Sequence, residues 1–266
     1  MIDALRFYRK LVSKEMQRFF IYRVNIITAC LAGILMLVAR YALWLALFSS
    51  GNVTDVTFSE TITFFVINDV ILIWLFSNYG STIGADIKSG DIALRLVRPF
   101  PYHLQLISSF HADALATTLF RALPMLLIAI IFIGVLPPIS TVALLIFLLA
   151  TVLGAIIFSL IDLIISYSAF WLKEYWYLSW FKQALFILFG GFLVPLWFYP
   201  EWLRRISEFL PFQFTLFIPI EIYLGRIPAN NLISVVGMQL FWIALLFIIE
   251  RSLWKLAQHK LVVQGG

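Results

Sequence analysis

The sequence predicts an all-α polytopic membrane protein, and three observations carry that reading. Hydrophobic residues make up 62% of the 266 residues and charged residues only 12%, against about 45–50% and about 25% in a soluble domain. Apolar runs recur at the roughly 20-residue length that a membrane span needs. Lys and Arg collect in alternate inter-span segments, as they do in chains whose basic loops stay cytoplasmic. The excess of 19 Lys and Arg over 14 Asp and Glu is therefore read as a topology signal and not as a nucleic-acid footprint.

Residues 1–22 predict an N-terminal interfacial amphipathic helix. At about 100° per residue, Leu5, Tyr8, Val12, Met16 and Phe19 share one face, and Arg6, Arg9, Lys10, Lys14 and Arg18 fill the opposite half; Phe7 and Leu11 break the pattern. Such a helix lies in the membrane interface with its basic face toward anionic headgroups. The segment shows no cleavable signal pattern.

Six transmembrane helices follow, over residues 24–48, 61–79, 114–136, 141–172, 178–198 and 232–249. The fourth starts after Pro137 and Pro138. It is longer than a core of about 30 Å requires, so it tilts or projects. Residues 81–110 read as a cytoplasmic loop. Residues 199–229 read as short outer-face re-entrant helices, because Pro200, Pro211, Pro219 and Pro228 cut an apolar segment into pieces too short to span. Basic residues place both termini in the cytoplasm: Lys88, Arg95, Arg98, Arg121, Lys173, Lys182, Arg251, Lys255 and Lys260 join the basic N-terminal segment on one side. Arg204, Arg205 and Arg226 lie on the other, and Arg40 lies within the first span. Trp171, Tyr175, Trp176, Trp180, Trp197 and Trp202 read as interfacial aromatics.

Charges inside spans are costly. Arg40 and Asp69 each lie eight residues from the outer end of their spans, about 12 Å deep. They either pair to fix helix register or form a polar element of a translocation path. Asp162 lies toward the inner end of the fourth span, within reach of Arg121 or Lys173. Gly80 and Gly84 make a GxxxG at the edge of the second span. Gly190 and Gly191, in the middle of the fifth, mark close packing or a bend.

Several chemistries are excluded. His103, His111 and His259 have no Cys or carboxylate at metal-ligand spacing. Cys30 is the single cysteine, so no intrachain disulfide or thiolate cluster forms. No Lys follows any of the 13 glycines, so the chain has no P-loop. It has no cofactor of its own; any ATP and Mg would be held by another chain.

The segment from Asp86 to Tyr102 is the most informative. It predicts a short helix over 91–98, stopped by Pro99 and Pro101, with Asp91 in the first turn and Arg95 and Arg98 in the last, matching the helix dipole. Ile92, Leu94, Leu96 and Val97 give it apolar knobs that dock into another protein or onto its own bundle.

The run Gly90-Asp91-Ile92-Ala93-Leu94-Arg95-Leu96-Val97-Arg98-Pro99 resembles the glycine-to-LxRP pattern that follows the second span in permeases of the ABC-2 type exporter superfamily, in particular the ABC-2 membrane group six. Pro200, Leu210-Pro211-Phe212, Pro219, Tyr223-Leu224-Gly225 and the tail Val262–Gly266 resemble that group as well, as does the whole architecture. The resemblance implies a single transmembrane domain over 1–266 in which two permeases, identical or related, form a pore above two ABC ATPase subunits. Gly90, Asp91, Leu94, Arg95, Leu96, Arg98 and Pro99 would then couple to the ATPase. Pro200, Pro211, Phe212 and Pro219 would line an outer gate. The location implied is a bacterial plasma membrane, and the substrate a lipid, glycolipid, natural product or peptide. The rival readings are an ATP-independent secondary transporter or channel, which calls for converging mid-membrane carboxylates or broken helices, a lipid-modifying membrane enzyme, and a membrane anchor for a cytosolic protein.

Overall fold

The structure, a computed structural model, describes residues 8, 10, 12–14, 16–17, 23–51, 56–75, 79–97, 100–172 and 176–259. Among the described residues there is helix and no strand. The described part of the N-terminal segment is helical and two-faced: Tyr8, Val12 and Met16 are half-buried, and Lys10 and Lys14 are exposed. The remainder of the expected interfacial helix, and the tail 262–266, lie outside the described residues.

Helix α1 covers Arg23–Ser49 and α2 covers Phe58–Leu75. Thr57 opens α2 with a capping box: its N–H and hydroxyl both reach Glu60 Oε2 at 2.8 Å, and Glu60 N–H returns to Thr57 Oγ1 at 3.2 Å. Helix α3 is Tyr79–Ser89 and α4 is Asp91–Leu96. Helix α5, Tyr102–Thr117, runs through a π-turn at Thr118–Ala122 into α6, Leu123–Phe132. Pro124 lacks the N–H that an α-helix would offer to Phe120 O. The Leu123 N–H bonds Thr118 O, five residues back, and the Cys30 thiol lies 3.8 Å from Phe120 O. The wider turn thus lets the helix pass the proline.

Helix α7, Thr141–Ser166, ends in a 3-10 turn at Tyr167–Phe170. Helix α8 is Trp176–Gly190. Short pieces follow: a 3-10 turn at Leu196–Phe198, α9 at Glu201–Glu208, a 3-10 turn at Pro211–Thr215, α10 at Phe217–Tyr223 and a 3-10 turn at Ala229–Asn231. Helix α11, Leu232–His259, ends the described chain.

Four stretches among the described residues are long and apolar enough to cross a membrane: Ile27–Ser49, Tyr102–Phe132, Thr141–Phe170 and Ala229–His259. They overlap the expected first, third, fourth and sixth spans, the third ending at Phe132 rather than at residue 136. The third begins well before residue 114, so much of the expected loop 81–110 is helix. The sixth runs ten residues past 249. At the expected fifth span, the described part of α8 stops at Gly190, short of the expected end at residue 198. Gly191 has φ +73°, a left-handed conformation open to glycine, and the apolar run from 192 to 198 continues as bends and a turn. Of the expected second span, residues 61–75 lie in α2 and Tyr79 opens the described part of α3; residues 76–78 lie outside the described residues.

The chain divides into two compact units. The first holds the described residues of Met1–Trp74, Ser108–Leu144 and Ile220–Arg226; the second holds those of Leu75–Ile107, Leu145–Pro219 and Ile227–Gly266. In the first unit, Thr61–Asn68 of α2 is buried on every face, as befits a helix enclosed by protein. Trp44 packs on Phe65 with ring centroids 5.5 Å apart. The Leu136 N–H donates to Thr63 Oγ1 at 2.9 Å, and Tyr223 Oη donates to Leu136 O at 2.9 Å.

In the second unit, Phe186 is a hub between Phe158, at 4.4 Å, and Phe212, at 5.0 Å. The turn Pro211–Thr215 is buried throughout. Gln239 of α11 donates to Ala150 O of α7 at 2.9 Å and to Phe214 O of the turn at 3.0 Å. Gly154 of α7 makes room for the same turn: a Cβ there would lie 2.7 Å from Phe214 O and 2.8 Å from Thr215 O. Gly154→Ala is therefore expected to destabilise the protein by about 1–3 kcal/mol, the usual cost of overpacking. A clear fall in Tm of the detergent-solubilised protein checks it, whereas Gly84→Ala, where a Cβ meets nothing within 4 Å, should leave Tm nearly unchanged.

Candidate functional site

Three groups of side chains stand out. The first surrounds α4. Gly90 precedes the helix with φ +79°, a conformation suited to glycine, and reverses the chain between α3 and α4. The helix ends at Leu96 rather than at Arg98; Arg98 and Pro99 lie outside the described residues. Ile92 is buried, whereas Leu94 is 65% and Val97 81% exposed. Arg95 points inward: its Nη2 lies 3.1 Å from Asp86 Oδ1 of α3, and Asp86 Oδ2 accepts from Tyr102 Oη at 2.7 Å. Gln105 Nε2 donates to Arg95 O at 3.0 Å and to Phe100 O at 2.6 Å. The helix is thus held from beneath by α3 and α5. Its outer surface consists of Asp91, Ala93, Leu94 and Val97, with Arg95 and Leu96 part-exposed.

The second group is the charges within apolar helices. Arg40 and Asp69 form an ion pair in the first unit. Arg40 also lies 5.3 Å from the centroid of the Phe65 ring, and Asn68 Nδ2 donates to Asp69 Oδ1 at 3.3 Å. Asp162 pairs with Lys182, a partner that the sequence reading did not name for it, and the Nζ–Oδ1 distance is 2.6 Å. Lys182 is not a loop residue: it lies in the first half of α8, where its side chain is 6% exposed. Asp162 Oδ1 also accepts from Ser166 Oγ at 3.2 Å, and Oδ2 faces Tyr79 N at 3.4 Å. Arg121 lies in the π-turn, and Lys173 is outside the described residues.

The third group is the segment 199–229. Of the four expected gate residues, Pro200 is exposed at the start of α9, while Pro211, Phe212 and Pro219 are buried. Phe212 stacks on Phe189 with centroids 6.0 Å apart. In the first unit, Arg226 pairs with Glu60 at 3.2 Å and with Glu221 at 3.3 Å. Burial raises the Glu60 pKa, but the Thr57 N–H, the Thr57 hydroxyl and the Arg226 guanidinium together hold the carboxyl below its ordinary value.

Among the described residues no group of His, Cys, Asp and Glu is arranged to hold a metal. What these groups offer is a fixed protruding helix and compensated charges in apolar surroundings. The family model of the ABC-2 family transporter protein matches residues 34–265. The chain belongs to the ABC-2 transporter family. Among curated proteins, none matches it. ABC-2 transporter proteins are membrane subunits that work with an ABC ATPase in general, and the long apolar helices agree with a multi-pass membrane protein.

Some residues of this ABC-2 protein escaped the sequence reading. Asp86, Tyr102 and Gln105 position α4, but each lies in a stretch taken for loop. Lys182 had the right signal, a lone cation in an apolar run. Glu250 and Tyr167, bonded at 2.5 Å, lie 83 residues apart, with no local pattern linking them.

Removing one member of the Asp162–Lys182 pair strands a buried charge. Lys182→Met should cost about 3–5 kcal/mol. Adding Asp162→Asn to the same chain should restore most of the lost thermal stability, and strictly additive losses in Tm would show that the two do not act as a pair. The Glu60 carboxyl is lowered in the folded state, so the stability it contributes is complete above its ordinary pKa of 4.5 and is lost as pH falls through the folded value. A pH titration of Tm should therefore fall more steeply below pH 4.5 in the parent than in Glu60→Gln.

Proposed function

We propose that the chain is the transmembrane permease subunit of an ATP-driven ABC exporter. It moves a hydrophobic or amphipathic substrate, such as a lipid, glycolipid, natural product or peptide, by alternating access. A separate ATPase subunit, which binds ATP and Mg, docks on α4 and drives the cycle. Two permeases, identical or related, and two ATPases make the assembly. The chain crosses a bacterial plasma membrane six times with both termini in the cytoplasm, and re-entrant outer helices in 199–229 gate the outer end through Pro200, Pro211, Phe212 and Pro219.

The observation that carries this reading is α4. Leu94 and Val97 stand exposed on a helix of six residues, too short to hold its own shape in water. The Arg95–Asp86 pair and Gln105 hold it in place. An apolar knob on a rigid mount suits a cleft in a partner that pushes on it. Within the recognition segment, Leu94, Val97 and Asp91 make the contact. Arg95 sets the mount, and Gly90 supplies the turn that presents the helix. Family membership supplies the ATPase as the partner class. Arg40, Asp69, Asp162 and Lys182 are compensated within the chain, which suits structural pairs better than proton sites.

The test is purification of the tagged chain from its native membrane in mild detergent, followed by an ATP hydrolysis assay. The expected result is recovery of a P-loop ATPase whose yield falls tenfold or more, roughly the loss of a buried apolar anchor, in Leu94→Asp or Val97→Asp. Arg95→Gln should retain the ATPase but weaken its hold. A chain recovered without any ATPase would favour an ATP-independent carrier or channel.

A further inference from the structure

The second unit contains an aromatic and polar cluster that the docking surface does not use. Trp254 of α11 is 7% exposed. It stacks on Tyr102 at 5.8 Å with planes 18° apart, and it touches Tyr167 at 5.2 Å, Phe170 at 6.1 Å and His103 at 6.4 Å. One turn earlier, Glu250 is 1% exposed and accepts from Tyr167 Oη at 2.5 Å. Arg251 lies 3.5 Å from Glu250 Oε2 and 2.9 Å from His103 Nε2. Tyr102 is the residue that holds Asp86, and Asp86 holds Arg95 of α4. The ring that braces the mount of α4 is thus the ring on which Trp254 lies.

The length of α11 gives this arrangement a direction. Its 28 residues measure about 42 Å, against a hydrocarbon core of about 30 Å. The part that carries Glu250 and Trp254 is its last third, beyond residue 249, where the apolar run ends. A stacked indole, a buried carboxylate on a phenol and an arginine on an imidazole do not slide independently: each is directional, and a buried partner left behind is costly. A displacement of α4 that moves Asp86 and Tyr102 therefore either carries Trp254 along or breaks the whole set.

We propose that Glu250 and Trp254 are positioning residues that bolt α11 to the mount of α4, so that nucleotide-driven displacement of α4 moves the last membrane helix as one body with it. The proposal rests on the permease reading. Through this bolt the ATPase drives α11 directly, and the outer end of α11 at Asn231 reports the nucleotide state of a subunit that it does not touch.

The test uses the complex of the full chain with its ATPase, reconstituted in lipid. In a Cys30→Ser background, Asn231→Cys places a single thiol at an exposed residue before α11. Its rate of modification by a membrane-impermeant maleimide is read without nucleotide and after trapping with ATP and vanadate. The parent is expected to change by about fivefold or more, the scale of an ordinary coupling energy. Trp254→Leu and Glu250→Gln are expected to retain the ATPase and to hydrolyse ATP, but to show one rate in both states. Trp254→Phe, which keeps a ring to stack on Tyr102, should retain the difference. A purely structural role would lower Tm in the variants and leave the nucleotide dependence intact, and that result overturns the proposal while the permease reading stands. A parent that recovers no ATPase overturns both.

Discussion

Asp162 has no access to water, and neither, for practical purposes, has the ammonium that Lys182 brings to it. In apolar surroundings each ion is tolerable only beside the other, so the pair fixes α8 against α7 at one register. The same carboxylate faces the N–H of Tyr79 at the start of α3 and takes the Ser166 hydroxyl. Three helices therefore meet on one acid group. The position of α3 follows, and with it that of α4, which turns off the end of α3 at Gly90. On the other side of the pair, Phe158 and Phe186 pack with their rings tilted by 38° and lead to Phe212 in the buried turn. Helix α4 and the turn at Pro211–Thr215 are thus built on elements that one ion pair locates.

The chain handles its buried polar groups by two different means. Charges are matched in pairs, as at Arg40 and Asp69. Side-chain amides bond backbone carbonyls at irregular turns and on neighbouring helices: Gln239 serves Ala150 of α7 and Phe214 of the turn, and Gln105 serves Arg95 and Phe100. The second means explains why irregular backbone is tolerated in a chain this apolar. It also makes each glutamine costly to replace by a hydrophobic residue of similar size.

Much of this was readable in the sequence. The all-helical class and the long spans follow from apolar run length, and the matched depth of Arg40 and Asp69 follows from helix rise alone. The helix at Asp91 was announced by its flanking glycine and prolines. What was not readable has a common cause. Composition tells where helices suit lipid, but not where they stop or which way a polar face turns. The run from 192 to 198 is as apolar as the helix before it, yet the helix ends at Gly190, where Gly191 takes a left-handed φ of +73°. Residues 102–113 look like loop because Gln105, Ser108, Ser109, His111 and Asp113 punctuate them. Buried Tyr102, His103, Gln105 and Leu106 show instead a helix packed against protein. Asp162 was recognised as needing a partner, but Lys182 was assigned to a loop, and pairing two residues across helices requires the third dimension.

The early end of α8 reaches beyond the protein. Tyr177, Trp180, Phe181 and Leu188 lie exposed along one side of it, an apolar face on a helix shorter than α7 and α11. Helices α7 and α11 are long and apolar enough to cross a full hydrocarbon layer. Apolar helices of unequal length in one chain are the condition under which a bilayer changes thickness locally to keep apolar surface covered.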